Sequence, residues 1–332
     1  MLPLFNSLTL SLVKIYSRLL PTLSFIFLGI AGLTALQARE IPLWPNGLPN
    51  GQEVQLEEIW QERPIEEGAN VTLDRSVKAI STPTMTVYRP EKQNQQRSSI
   101  VILPGGGFSH LAIDKEDHDI ARWLNTHGIT GIVVKYPVIH EQSNFHVYNS
   151  SVPDSLRAIR QVRHQAKDWN LDPNKVGVMG FSAGGYLTAV AGTLYNDGNP
   201  KSPDPIERMS CRPNFIAPIY PLIEIEDRVN MSEAYKVRMF GQNATSERIH
   251  QFSPIKHVTS STPPTFLVHA HDDNLSSQNS ARFYLALLES DVSTELHVYS
   301  KGGHGYGMRQ RGLPLSSWRE RFADWMKFND FR

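Results

Sequence analysis

Cysteine is nearly missing from this chain. Cys211 is the single one in 332 residues, which excludes an intramolecular disulfide and any cysteine-based metal cluster. A surplus of charge is missing too: 33 basic and 33 acidic side chains cancel. A balanced chain offers no electrostatic footing for nucleic acid or for an anionic membrane surface. There is no internal repeat and no low-complexity tract.

Long apolar runs are equally scarce. The one present, Leu19 to Leu36, follows Lys14 and Arg18 and leads through Gln37 and Ala38 to the polar Arg39-Glu40. A basic stretch, an apolar stretch and a small residue predict a secretory signal peptide over residues 1–38, cut after Ala38. The competing reading is an uncleaved anchor, because the run is close to spanning length. No cysteine stands beside it, which excludes a lipoprotein. Both readings put the folded part in an exported compartment, periplasmic or secreted. Hydrophobic residues make up 40% of the chain, enough for a sizeable core, and residues 39–332 suit one large α/β domain.

Along that domain, short apolar runs alternate with amphipathic ones. Strands are predicted over 84–89, 98–103, 129–136, 175–179, 214–220, 264–269 and 294–299. Helices are predicted from Asp114 as N-cap to about 127, over 151–169, over 186–195 and over 277–288. Ser317-Trp-Arg-Glu320 reads as a capping box opening a last helix. Residues 196–213, with four prolines, read as a loop. Residues 222–262 show no period and read as an insertion over the sheet. Within it, Glu224, Glu226 and Asp227 read as a solvated face. Strands alternating with helices imply a mostly parallel central sheet with helices on both faces. Such sheets bind ligands at the carboxyl ends of their strands.

The most informative stretch is Gly180-Phe-Ser182-Ala-Gly184-Gly185. A serine between glycines, after a strand and before a helix, is the nucleophile-elbow pattern. Side chains at Gly180 or Gly184 would collide with the neighbouring strand or helix. A nucleophilic Ser182 needs a base, an orienting acid and an oxyanion hole. His304, in the loop Lys301-Gly-Gly-His-Gly-Tyr-Gly307, is the best-placed base. The acid falls in His269-Ala-His271-Asp272-Asp273. Asp272 comes first off the strand and is preferred over Asp273, which is left to cap the next turn. Backbone N–H groups of Gly106, Gly107 and Ala183 supply the oxyanion hole.

Other readings of these motifs compete. The glycines of Pro104-Gly-Gly-Gly-Phe108 resemble a phosphate loop, but no Lys-Ser/Thr pair follows and the G-x-G-x-x-G spacing is missing. His269 and His271 could share one strand face as metal ligands, but no third histidine motif joins them. The loop 137–150, with His140, Phe145, His146 and Tyr148, is a candidate wall of the substrate pocket. No cofactor and no metal is called for.

Together, Pro104-Gly-Gly-Gly-Phe, Gly180-Phe-Ser-Ala-Gly-Gly, His269-Ala-His-Asp-Asp and Gly303-His-Gly-Tyr-Gly resemble bacterial exported α/β-hydrolases of the esterase/lipase superfamily. The nearest group is the acetyl-xylan-esterase-like branch, and the likeness runs from about Ile41 to the end. The resemblance implies the α/β-hydrolase fold, a catalytic Ser182, Asp272 and His304, and esterase activity on short acyl groups of carbohydrates. Pro104 fits that branch, where proline commonly precedes the glycines. Leu275-Ser276 departs from the Val-Pro of many relatives, which bears on the choice between the two aspartates. The expected partner is an acylated carbohydrate or other small ester, with no nucleic acid and no membrane beyond the signal segment; the oligomeric state is open. Rival readings are an exported serine peptidase, a general carboxylesterase or lipase on the same fold, and a non-catalytic carbohydrate-binding relative.

Overall fold

A computed structural model describes residues 40–49, 55–63, 73–226, 232–309 and 311–332. These all lie in one compact unit, Ala38–Arg332; the expected signal segment and Asp227 lie outside the described residues.

Apolar runs buried on both faces build the centre of the sheet. The strands β5 (Ser99–Leu103), β7 (Thr130–Lys135), β8 (Val176–Phe181), β9 (Phe215–Ile219) and β10 (Thr265–Ala270) are buried at every position. With β1 (Glu40–Pro42), β4 (Thr84–Tyr88) and β11 (Thr294–Tyr299) they form an eight-stranded sheet ordered β1-β4-β7-β5-β8-β9-β10-β11. Only β4 runs against the others. A second, antiparallel sheet joins β2 (Ile59–Glu62), β3 (Arg75–Lys78) and β6 (Leu111–Ala112) beside the loop that follows β5.

Alternation along each strand feeds two cores, one per face. Val101, Leu103 and Val178 point to one, against α2 (Ser151–Gln165), α3 (Ala183–Thr193) and α6 (Gln278–Glu289). Ile100, Ile102 and Met179 point to the other, against α1 (Asp119–Thr126) and α7 (Trp318–Phe328). The segment expected to lack period contains α4 (Glu233–Phe240) and α5 (Ser246–Gln251). Each has a conventional start: Ser232 and Thr245 side chains accept from the backbone N–H three residues on.

Two expected caps take other roles. Asp114 does not cap α1. It opens a π-helical turn, Asp114–His118, and its carboxylate accepts from the backbone N–H and the guanidinium of Arg75 at 2.7–3.0 Å. The capping box at Ser317 is not formed either. The Ser317 hydroxyl donates to Pro314 O at 2.8 Å, within a 3₁₀ turn that already leads into α7.

The contact that positions the site is the approach of α3 to β5. A Cβ on Gly184 would stand 1.9 Å from Leu103 O, and one on Gly180 would stand 2.2 Å from Gly184 O. Neither obstacle is a flexible side chain, so the backbone itself would have to move. Gly184→Ala is expected to cost on the order of 3 kcal/mol, lowering the melting temperature by roughly 6–12 °C for a domain of this size. A thermal shift under 2 °C would show that this approach is not tight.

Candidate active site

Ser182 follows β8 directly and precedes α3. Its backbone has φ 53° and ψ −110°, a region that non-glycine residues avoid. Three main-chain bonds hold it there. Its N–H donates to Ile219 O at 3.0 Å, and its carbonyl accepts from Tyr186 N and Leu222 N at 3.2 Å each. The turn lifts the hydroxyl above the strand ends, 2.8 Å from His304 Nε2.

His304 lies beyond β11. Its Nδ1 stands 2.8 and 2.9 Å from the two carboxylate oxygens of Asp273. A ring nitrogen facing a carboxylate carries the proton, which leaves Nε2 as the acceptor for Ser182. Asp273, not Asp272, therefore orients the histidine, and the preference for the first aspartate off the strand is corrected. Asp273 turns under the loop, its side chain wholly buried. There it also meets His269 Nε2 at 3.3 Å and accepts from Leu275 N at 2.7 Å. Burial pushes its carboxyl up, but the hydrogen bonds from His269 and His304 outweigh this and hold it below the usual range. Asp272 points outward and shapes the loop: its Oδ1 accepts from Gly302 N and Gly303 N at 2.9 and 2.8 Å. The bond from Gly303 is the chief reason its carboxyl lies below the ordinary value.

The residues expected to donate to the oxyanion line the clefts that contain Ser182. Gly106 and Gly107 line the cleft beside Ser182 with φ of 135° and 62°. A Cβ on Gly106 would meet His110 O at 1.9 Å. Ala183 opens α3, so its N–H is one of the helix's unpaired first-turn donors.

His269 and His271 do not converge. The His269 imidazole is fully buried between Ser280 Oγ (2.8 Å) and Leu275 O (2.7 Å), and His271 is exposed beyond the end of β10. Loop 137–150 supports the cleft from behind: Ile139 N donates to Phe108 O, and Tyr148 N to Met239 O. Glu226 meets His250 and Lys256, and Glu224 meets Arg282, away from the site.

Two lobes flank Ser182. One, of about 280 Å³, is lined by Phe108, Leu222, Tyr235 and Leu275 as well as the serine and histidine. The other, of about 470 Å³, is lined by Arg63, Ser109, His110, Lys115 and Glu116 among others. Arg238 of α4 borders both and donates to Gly107 O at 3.4 Å. Burial, with Arg63, Lys78 and Lys115 nearby, lowers His110 to about 4. It is thus neutral and accepts from Arg63 at 2.8 Å.

Sequence reasoning missed Arg63, Tyr235, Arg238, Tyr220 and Glu116. The first three come from stretches without a clear period. Tyr220 reads from the sequence only as the end of a strand. Glu116 sits in Asp114-Lys-Glu-Asp117, which reads only as a helix start and is buried in the structure.

The chain is similar to known proteins. The BD-FAE family matches residues 85–287. An acetylxylan esterase of Xylanibacter ruminicola is 32% identical over 258 residues, 74% of this chain and 45% of the relative. Endo-1,4-beta-xylanase B of Butyrivibrio fibrisolvens is 26% identical over 250 residues, 75% of this chain and 37% of the relative. The chain thus spans less than half the length of these two curated relatives. The crystal structure of an acetyl ester-xyloside bifunctional hydrolase from Caldicellulosiruptor lactoaceticus superposes with a TM-score of 0.72 at 32% identity, covering 89% of this chain and 97% of that one. The chain belongs to the BD-FAE family and carries its α/β-hydrolase fold.

Proposed function

We propose that this chain is a serine esterase that removes short acyl groups, acetyl first among them, from carbohydrates. The observation that carries the reading is the unbroken line from Asp273 through His304 to Ser182, with contacts of 2.8 Å at both steps. His304 takes the proton as Ser182 Oγ attacks the acyl carbonyl. The N–H groups of Gly106, Gly107 and Ala183 receive the oxyanion. The sugar hydroxyl leaves with the proton from His304, and a water activated by the same imidazole then frees the acid. Among similar proteins, an acetylxylan esterase and an acetyl ester-xyloside hydrolase support the substrate class. The two lobes support it as well. In the first lobe Phe108, Leu222 and Leu275 offer an apolar face to an acyl methyl, and in the second Arg63, His110 and Lys115 offer polar side chains to hydroxyl-rich rings.

Ser182→Ala is expected to lower kcat on p-nitrophenyl acetate by at least about 10⁴-fold and to abolish fluorophosphonate labelling. Normal turnover by that variant would end the serine reading, and a wild-type chain that fails to label would point to a binding protein instead.

The two aspartates separate cleanly. Asp273→Asn is expected to reduce kcat by about 10⁴-fold, as loss of an orienting carboxylate does. Asp272→Ala frees two loop N–H groups and is expected to cost roughly tenfold or less, with a small loss of stability. The reverse ranking in kcat would restore Asp272 as the orienter.

Rates on p-nitrophenyl esters should fall steeply from acetate to octanoate. Equal or rising rates would favour a general carboxylesterase or lipase over a deacetylase of sugars.

We also infer export, with residues 1–38 as a signal peptide, from Lys14 and Arg18 ahead of the apolar run Leu19 to Leu36. The exported protein should begin at Arg39 by N-terminal sequencing. A mature chain that keeps the run would mean an anchor.

A further inference from the structure

We propose that Glu116 is a positioning residue that locks the oxyanion loop to the loop carrying His304. The proposal rests on the esterase reading above. Glu116 is 3% exposed and its two carboxylate oxygens serve different loops. Oε2 accepts from Gly105 N at 2.9 Å. Oε1 accepts from the Tyr220 hydroxyl at 3.0 Å, and that hydroxyl in turn accepts from Gly307 N at 3.0 Å. One side chain therefore ties the turn after β5, the residue after β9 and the loop after β11.

Each partner bears on the reacting groups. Gly105 immediately precedes the oxyanion glycines, and its fit against Glu116 and the elbow is close: a Cβ there would stand 2.6 Å from Oε2 and 3.0 Å from Ser182 Cβ. Accepting from Gly105 N sets the peptide plane from which Gly106 and Gly107 continue. Tyr220 stands edge-on to the His304 ring, with centroids 5.2 Å apart at 66°. Burial pushes its phenol well above the ordinary range, so it stays a hydroxyl that can donate to Glu116 while accepting from Gly307. The loop after β11 also rests on Glu116's own turn, because Met308 N donates to Lys115 O at 2.9 Å. That turn is π-helical, a local widening that recurs at functional sites.

A buried carboxylate is costly unless donors surround it. Here one donor, Gly105 N, belongs to the oxyanion loop, and the other, the Tyr220 hydroxyl, in turn holds the loop that carries His304; the separation of those two loops decides whether an oxyanion and the Ser182–His304 pair fit one substrate. Misplacing such groups by about 1 Å costs on the order of 100-fold in rate. Because the oxyanion N–H groups that Glu116 positions act on charge that develops during reaction, the loss should fall on the transition state and spare substrate binding.

Glu116→Gln keeps the size and one acceptor but cannot accept from both Gly105 N–H and the Tyr220 hydroxyl. With p-nitrophenyl acetate, kcat is expected to drop about 10²- to 10³-fold while KM changes less than threefold. Affinity for a trifluoromethyl ketone, which mimics the tetrahedral intermediate, should fall with kcat. Tyr220→Phe severs the other arm and should show the same split. The double variant should be no worse than the poorer single one, since both break one connection.

A kcat within twofold of wild type for Glu116→Gln would overturn the proposal. So would a loss carried by KM with the ketone unaffected, or fully additive effects in the double variant. If Glu116→Gln does not fold, Tyr220→Phe alone decides by the same kcat-to-KM split. Activity lost in Ser182→Ala but kept in Glu116→Gln defeats this inference and leaves the esterase reading intact. A wild-type protein inactive on the ester defeats the esterase reading itself.

Discussion

Everything in the site depends on holding Ser182 in a backbone conformation that it would not choose. A φ of 53° with ψ of −110° costs on the order of 1–3 kcal/mol for a residue with a Cβ. The surroundings impose it. Ile219 O, Tyr186 N and Leu222 N fix both peptide planes of the serine. The helix that starts at Ala183 can begin so abruptly because Gly184 passes against Leu103 O and Gly180 passes against Gly184 O. Both β5 and β9 therefore take part in a conformation that belongs to β8, and the strain is met by the packing of three adjacent parallel strands.

The parallel sheet also explains why the remaining groups arrive together. β5, β8, β9, β10 and β11 all end on the same side. The segments that follow them carry the oxyanion glycines, the nucleophile, Tyr220, the two aspartates and His304. The aspartates divide the work by burial. Asp273 is folded under the loop, where few solvent molecules compete for the imidazole, and His269 and Leu275 satisfy what His304 leaves over. Asp272 lies in solvent and gathers the amides of Gly302 and Gly303, which curl the chain so that His304 reaches back to Ser182. One carboxylate orients the ring and its neighbour orients the loop that carries the ring.

Most of this was legible in the sequence for a physical reason. Strands buried on both faces leave unbroken apolar runs, and β5, β7, β8, β9 and β10 each fall within a residue or two of where those runs lie. Ser182, His304, Gly106, Gly107 and Ala183 announce themselves through glycines that only tight turns require. The choice between Asp272 and Asp273 was not legible, because adjacent residues in a loop point to opposite sides and proximity to the strand end does not say which side is inward. Asp114 and Ser317 have capping chemistry but are engaged by other partners, Arg75 from β3 and Pro314 O. The helices of residues 233–251 are short and partly exposed, so their apolar period is faint.

Glu116 is the instructive case. A cluster of four charged residues at a helix entry reads as a solvated surface, because burying any one of them is costly. The second sheet changes that balance. Its strand β6 runs directly into the π-helical turn, and β3 supplies Arg75 to Asp114. With Asp114 paired from that side, the turn rotates Glu116 inward toward Gly105 and Tyr220. The small antiparallel sheet thus reaches the catalytic machinery without contributing a reacting group. It covers the entry of the turn, and the turn delivers one carboxylate to the place where the loops after β5, β9 and β11 meet.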